Sequence, residues 1–403
     1  MTKVLIQHGP AKGNKITDAI NNNEAEGAIF SLREETFESI KNYANVTDGL
    51  DRENIFIDPQ FYYSTFNKEL LKNLENTFDF PTEVSRRDMR TNDKRITNYF
   101  EKYYTSVIQV SNNIITPTLC IDAIDWKFDY SLNIYKKFRE LDSNNEYNHY
   151  ISLLMDVKLF HSKNDIDEIL LDLIEDNKEY SNNGVYLVIN HDTNANNNYE
   201  AIDPETLSNI LYFIYSLQKN NFKIVMGYTF INMVLFNMLN CDYAASGWFN
   251  NLRKFNVARF DGVDIFGRRK KKYLSLPLLT YLPFDTISEI SNSFNTDLLK
   301  SESSIDSSAF ADYDSVSFVD LEHQYWEAIS KISSEINNFG SLEERVQFIK
   351  EKIEQSMKLY SEIYASMPHY SELQNILKKA SSHLEDWLLG IELFIKKAQL
   401  IIK

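Results

Sequence analysis

KIVMGYTFINMVLFNMLNCDYAASGWFNNLRKF, residues 223–255, holds an apolar run ending at Gly227, a helical stretch, a second run ending at Gly247 and a turn of small residues. Two apolar strands joined by a helix form the unit of a parallel sheet covered by helices. The unit recurs upstream. Apolar runs of strand length lie at 4–8 (VLIQH), 27–32 (GAIFSL), 54–58 (NIFID), 115–123 (ITPTLCIDA), 150–157 (YISLLMDV), 185–190 (VYLVIN), 223–227 (KIVMG) and 242–247 (DYAASG), and most precede a helical pattern. The clearest helix separates the sixth and seventh runs: Asp203 suits its cap, Pro204 its first turn, and Leu207, Ile210, Leu211, Ile214 and Leu217 share one face. Eight such units close most economically into an α/β fold of the (β/α)8 TIM-type barrel class. A doubly wound open sheet is the rival, but QHGPAKGNK after the first run lacks its G-x-G-x-x-G fingerprint.

The chain has 403 residues, 43% hydrophobic and 13% aromatic, enough for a barrel and an appendage. Residues 1–292 read as the barrel, with an excursion at 256–292, and 293–316 read as an exposed linker rich in Ser and Asp. Residues 317–403 read as an all-α extension, with helices near 319–337, 342–366 and 371–402. The last carries Leu373, Ile376, Leu377, Ala380, Leu384, Leu388 and Ile391, a stripe that needs the barrel, a sister helix or another subunit as partner. A net charge of -16 argues against a general polyanion binder. The two cysteines, Cys120 and Cys241, give neither a disulfide framework nor a cysteine zinc site, so a reducing cytoplasm is expected. No apolar stretch approaches the roughly 20 residues of a membrane span.

A barrel of this class gathers its reacting groups at the C-terminal ends of its strands, because only there do eight loops converge. That rule nominates His8, Arg33, Asp58 with Gln60, Asp122 and Asp125, Asp156 with Lys158, His191 and Asp192, Tyr228, and Ser246 with Gly247. Asp58, Asp122, Asp156 and Asp192 close the third to sixth runs and, with His191, form the catalytic candidates, as acid and base, nucleophile or metal ligands. Aspartate is also a preferred helix cap, the competing explanation. A divalent cation on His8, His191 and Asp192 with Asp58 or Asp156 is a further reading, although no H-x-H or H-E-x-x-H spacing supports it. Neither a G-x-S-x-G elbow nor a Walker-type phosphate loop is present.

The loops after the last two strands form the recurrent phosphate site of this fold, which makes Gly227, Ser246, Gly247 and the following Arg253 and Lys254 anion-binding candidates. The alternative is that the glycines merely end their strands tightly. EVSRRDMRTNDKR adds Arg86, Arg87, Arg90, Lys94 and Arg95 in the long connection after the third run, and a third basic cluster spans 268–272. MGYTFINMVLFNMLNCDYAASGWFNNLR also resembles the glycine, helix and G-x-D strand segment of barrel enzymes such as the queuine-type tRNA-guanine transglycosylases. That resemblance implies Asp242 as a nucleophile, while the family's zinc cysteines and P-T-R continuation are absent. Two functions are therefore expected in competition. One is a hydrolase or transferase acting on a phosphate-bearing or nucleotide-derived anion. The other is a non-catalytic scaffold that binds a protein partner or self-associates through 317–403.

Overall fold

The computed structural model describes residues 1–401 apart from 48, 67, 92, 179, 192–200, 258–269 and 368–371. The chain opens with β1 (Lys3–Gln7), α1 (Lys15–Asn21), β2 (Gly27–Ser31), α2 (Phe37–Val46) and β3 (Ile55–Asp58). A long connection holding α3 (Arg86–Arg90) leads to α4 (Lys94–Val107), β4 (Asn113–Ile115), β5 (Cys120–Ile121) and α5 (Trp126–Leu141). Next come β6 (Asn148–Asp156), α6 (Lys163–Asn177), β7 (Asn183–Asn190), α7 (Pro204–Lys219), β8 (Lys223–Met226), α8 (Met233–Met238) and β9 (Tyr243–Ser246). The remainder comprises β10 (Lys272–Ser275), β11 (Thr280–Pro283), α9 (Phe284–Ser291), α10 (Asp306–Ala311), α11 (Phe318–Asn337), α12 (Leu342–Ser366) and α13 (Glu372–Lys397).

β1 to β9 form one parallel sheet in the order β3-β2-β1-β9-β8-β7-β6-β4, with β5 also on β6. This is the expected TIM-type barrel, nearly closed. The fourth run splits into β4 and β5 around Pro117, which has no N–H for a ladder, and both pieces pair with β6. At the seam between β3 and β4, side chains replace the main-chain ladder. The Tyr103 hydroxyl of α4 lies 2.8 Å from both Ile57 O and Ile115 O. Ser111 Oγ donates to Ile55 O (2.5 Å) and the Asn113 amide to Glu53 O (2.8 Å).

The barrel interior is packed rather than hollow. Phe56 on β3 stacks edge-on against Tyr150 of β6 at 5.4 Å and Tyr243 of β9 at 4.9 Å. Gly184 on β7 makes room for Tyr150: a Cβ there would lie 2.3 Å from its Cδ1. Around the sheet, α7 starts as its sequence indicates, with Asp203 accepting from Thr206 N–H and Pro204 in the first turn.

The eighth helix of the barrel layer is supplied late in the chain. α11 packs against α8 and β1, and Thr2 N–H donates to Asn337 Oδ1 while the Asn337 amide donates to Thr2 O. The first helix of the expected extension thus belongs to the barrel wall, and only α12 and α13 form an outer layer. Arg345 on α12 donates to Met238 O at the end of α8 (2.9 Å). α13 lies on α7, where Leu207 fills the space over Gly390 and Lys397 bonds Glu205, Ser208 and Asn209. Part of its apolar stripe therefore packs within its own chain, with Leu377, Leu384 and Ile391 buried and Ile376 exposed.

The excursion after β9 contains the β10–β11 hairpin, which is gripped by Gln324 of α11: its amide accepts from Leu274 N–H and donates to Leu274 O. Residues 293–316 have the composition of a linker yet are packed. Leu299, Ser301, Asp306 and Ala309 are buried, and Asp306 Oδ1 accepts from the Tyr273 hydroxyl at 2.7 Å. Among the described residues no helix is long and apolar enough to cross a membrane.

Candidate active site at the C-terminal mouth of the barrel

Asp58 ends β3, a strand buried along its whole length, and its side chain is itself 3% exposed by residue. Gln60 adopts a left-handed backbone (φ 50°), which brings its N–H to Asp58 Oδ1 at 2.9 Å. The Gln60 side chain then accepts from the Ser31 hydroxyl (2.7 Å) and Arg33 N–H (3.2 Å), locking the ends of β2 and β3 together. From across the barrel, the Tyr186 hydroxyl of β7 reaches Asp58 Oδ2 at 3.4 Å.

Among the described residues no cation pairs with this carboxylate. Burial pushes its pKa up to about 7, against the pull of the Gln60 and Tyr186 hydrogen bonds. Burial and the Asp58 charge together drive the Tyr62 and Tyr186 hydroxyls well above their ordinary value, and Tyr228 contributes to both. One carboxyl and three tyrosines thus converge at the mouth. Such a carboxyl exchanges its proton near neutral pH, as an acid or base does.

The other aspartates are engaged locally. Asp156 accepts from Lys158 N–H (3.0 Å) and from the Asn190 amide (3.0 Å), and Asn190 in turn accepts from Val257 N–H (2.8 Å). Asp122 is exposed and pairs with Lys127 at 2.5 Å, while Asp125 caps α5 through Lys127 N–H. Asp192 lies outside the described residues. His191 donates its N–H to Phe255 O at 3.2 Å, and burial with the nearby Lys254 charge holds its imidazole well below the usual range. His8 is buried at the end of β1, where its Nδ1 accepts from Ser31 N–H at 3.3 Å. Burial brings it down to about 3, with Lys12 adding to the effect. Among the described residues no three side chains of His, Cys, Asp or Glu come together as a metal site would require.

Packing explains the two strand-ending glycines. A Cβ on Gly227 would sit 2.9 Å from Tyr186 Cε2 and Oη, and one on Gly247 would sit 2.3 Å from Leu252 Cβ and 2.6 Å from Gln7 O. Their N–H groups are already engaged, Gly227 to Leu187 O (2.9 Å) and Gly247 to Leu252 O (3.2 Å). The Ser246 hydroxyl pairs with that of Tyr325 at 2.7 Å. Arg253 is buried, with Nε donating to Gly247 O (2.8 Å) and its guanidinium 3.6 Å from the Tyr325 ring centre and 4.5 Å from that of Tyr281. It joins the end of β9 to α11 and the hairpin.

Asp242, the nucleophile that the transglycosylase resemblance implies, sits at the opposite end of the barrel. It precedes β9, and its Oδ2 accepts from Ile224 N–H at 2.8 Å as β8 begins. It cannot act with the groups at the mouth.

Arg86, Arg87 and Arg90 lie on α3 in the connection that leaves β3, and line a recess of about 430 Å³ with Thr91. The third basic cluster disperses: Lys270 pairs with Asp285 at 3.7 Å and Lys271 donates to Asp314 O, while Arg268 and Arg269 lie outside the described residues. The strand-end rule does not reach Tyr186, because it sits inside its run. The available signal is alternation, which puts Tyr186 on the same face of β7 as Asn190. No protein-family profile, curated protein or solved structure matches the chain.

Proposed function

We propose that the protein is a barrel enzyme, a hydrolase or transferase, in which Asp58 moves the proton and the substrate is anionic, phosphate-bearing or nucleotide-derived. The observation that carries this reading is the Asp58 carboxyl: buried at a strand end, unpaired with any cation among the described residues, raised to about 7 and within reach of the Tyr186 hydroxyl. Burial raises this carboxyl toward neutrality and so disfavours its charged form. It costs stability, and that cost is typical of catalytic acids and bases. In this reading Tyr186 orients the carboxyl and Tyr62 and Tyr228 stay protonated as donors to the substrate.

The scaffold alternative drew its support from the stripe on α13, and much of that stripe packs on α7 and α12 of the same chain, with Leu377, Leu384 and Ile391 buried and Ile376 exposed. No other observation favours it.

The test is a carbon-13 titration of the Asp58 carboxyl in the intact protein, read beside turnover on a panel of phosphate esters and nucleotides. A midpoint near 7 that rises further in Tyr186→Phe, which removes a donor to the charged form, together with loss of turnover in Asp58→Asn at unchanged melting temperature, is expected. An Asp58 midpoint in the ordinary carboxylate range, or full turnover in Asp58→Asn, overturns the proposal.

A further inference from the structure

The three arginines of α3 stand in an unusual electrostatic position. The acids around them are occupied. Asp88 Oδ2 accepts from Ser85 N–H (2.8 Å) and the Ser85 hydroxyl (2.7 Å), closing the capping box of α3, and Arg95 lies 3.8 Å from the same oxygen. Asp93 caps α4 and pairs with Arg95 at 3.2 Å. Arg86, Arg87 and Arg90 are exposed and have no carboxylate partner among the described residues. Arg86 Cζ lies over the Trp126 ring, 5.0 Å from its centre, at the start of α5. The recess therefore lies between the connections that leave β3 and β5, on the side of the barrel where Asp58 sits.

We infer that this recess is a binding site for the phosphate groups of a small ligand with at least two phosphate charges. Arg90 lies one turn from both Arg86 and Arg87, at i,i+4 and i,i+3, and all three line the recess, where their guanidinium groups present planar forks of donors that match phosphate oxygens. A volume of about 430 Å³ falls within the range of small-molecule sites and leaves room beyond a single phosphate. A long polyanion is disfavoured because the whole chain carries -16, so only a compact anion meets the positive patch without the repulsive remainder. The inference deepens the function proposed above and rests on it for the link to catalysis, although binding itself is read independently.

The probe is inorganic pyrophosphate, titrated into the full chain by calorimetry at low and high salt and followed through the fluorescence of Trp126. Saturable binding that weakens with salt is expected, with a signal abolished in Trp126→Phe. Arg87→Gln and Arg90→Gln should each weaken binding about tenfold at unchanged melting temperature. Asp58→Asn should bind as the parent does. Absence of binding at millimolar pyrophosphate, or equal affinity in the double arginine variant, overturns the inference while leaving the Asp58 titration untouched. Preference for a single-stranded oligonucleotide, with affinity that grows with its length, overturns it in favour of a nucleic-acid surface. Binding with an ordinary Asp58 midpoint leaves the recess standing and removes the catalytic reading alone.

Discussion

At the scale of single residues, Gly227 and Asp58 are coupled through one ring. Tyr186 occupies the space that a side chain at 227 would need, and its hydroxyl is what reaches Asp58. Gly227→Ala should therefore push the ring aside, at a cost of about 1–3 kcal/mol in chemical denaturation, and raise the Asp58 midpoint by removing a donor to its charged form. An unchanged midpoint would mean that the 3.4 Å contact has no electrostatic weight. Asp58 was legible as a candidate because position along a strand predicts which end of the barrel a residue occupies. Its burial was not, since that depends on Tyr62 and Tyr186, one from a loop and one from mid-strand. The two readings of the glycines could not be told apart in sequence for a related reason. A glycine that admits an anion and one that admits a neighbouring ring look the same in sequence, and here Tyr186 and Leu252 fill the space.

At the scale of elements, the seam between β3 and β4 depends on Tyr103 of α4, a helix that otherwise only covers the sheet. Removing its hydroxyl leaves two buried carbonyls without that donor. Tyr103→Phe should lower stability by about 1–2 kcal/mol and speed amide exchange in β3 and β4 more than in β7 or β8. Uniform exchange across the sheet would show that the seam is no weaker than the rest. All eight strands were readable because parallel strands buried on both faces leave uninterrupted apolar runs. The role of residues 293–316 was hidden by composition. Serine and aspartate usually signal solvent, but Ser301 and Asp306 are buried because Tyr273 and neighbouring backbone groups satisfy them. Nor does helical periodicity reveal that α11 completes the barrel wall, for the pattern shows an apolar face and not its partner.

At the scale of the whole molecule, four histidines held low by burial, His191 among them, and the raised Asp58 carboxyl shape the response to acid in opposite directions. Burial lowers His8 to about 3 and both His149 and His383 to about 4. Below an unfolded value near 6.5 the unfolded chain takes up protons at these histidines that the folded chain refuses, so their contribution to stability falls as pH drops from about 6.5 toward 4, while Asp58, protonated in the folded chain from about 7 down, offsets about one proton of that slope. His383→Gln, which retains a donor for Leu279 O, should flatten that slope by about one proton. An unchanged slope in urea unfolding between pH 6.5 and 4 would place the acid sensitivity elsewhere. The placement of α11 carries a different consequence, in time rather than energy. β1 is synthesised long before Asn337, which grips the residue preceding that strand and emerges more than three hundred residues later. While the hairpin and the connection to α11 are being made, every strand exists but one flank of β9 and β1 lies bare. A nascent chain in that interval exposes apolar surface that the finished protein hides, which makes translation beyond residue 246 the window in which a chaperone matters most.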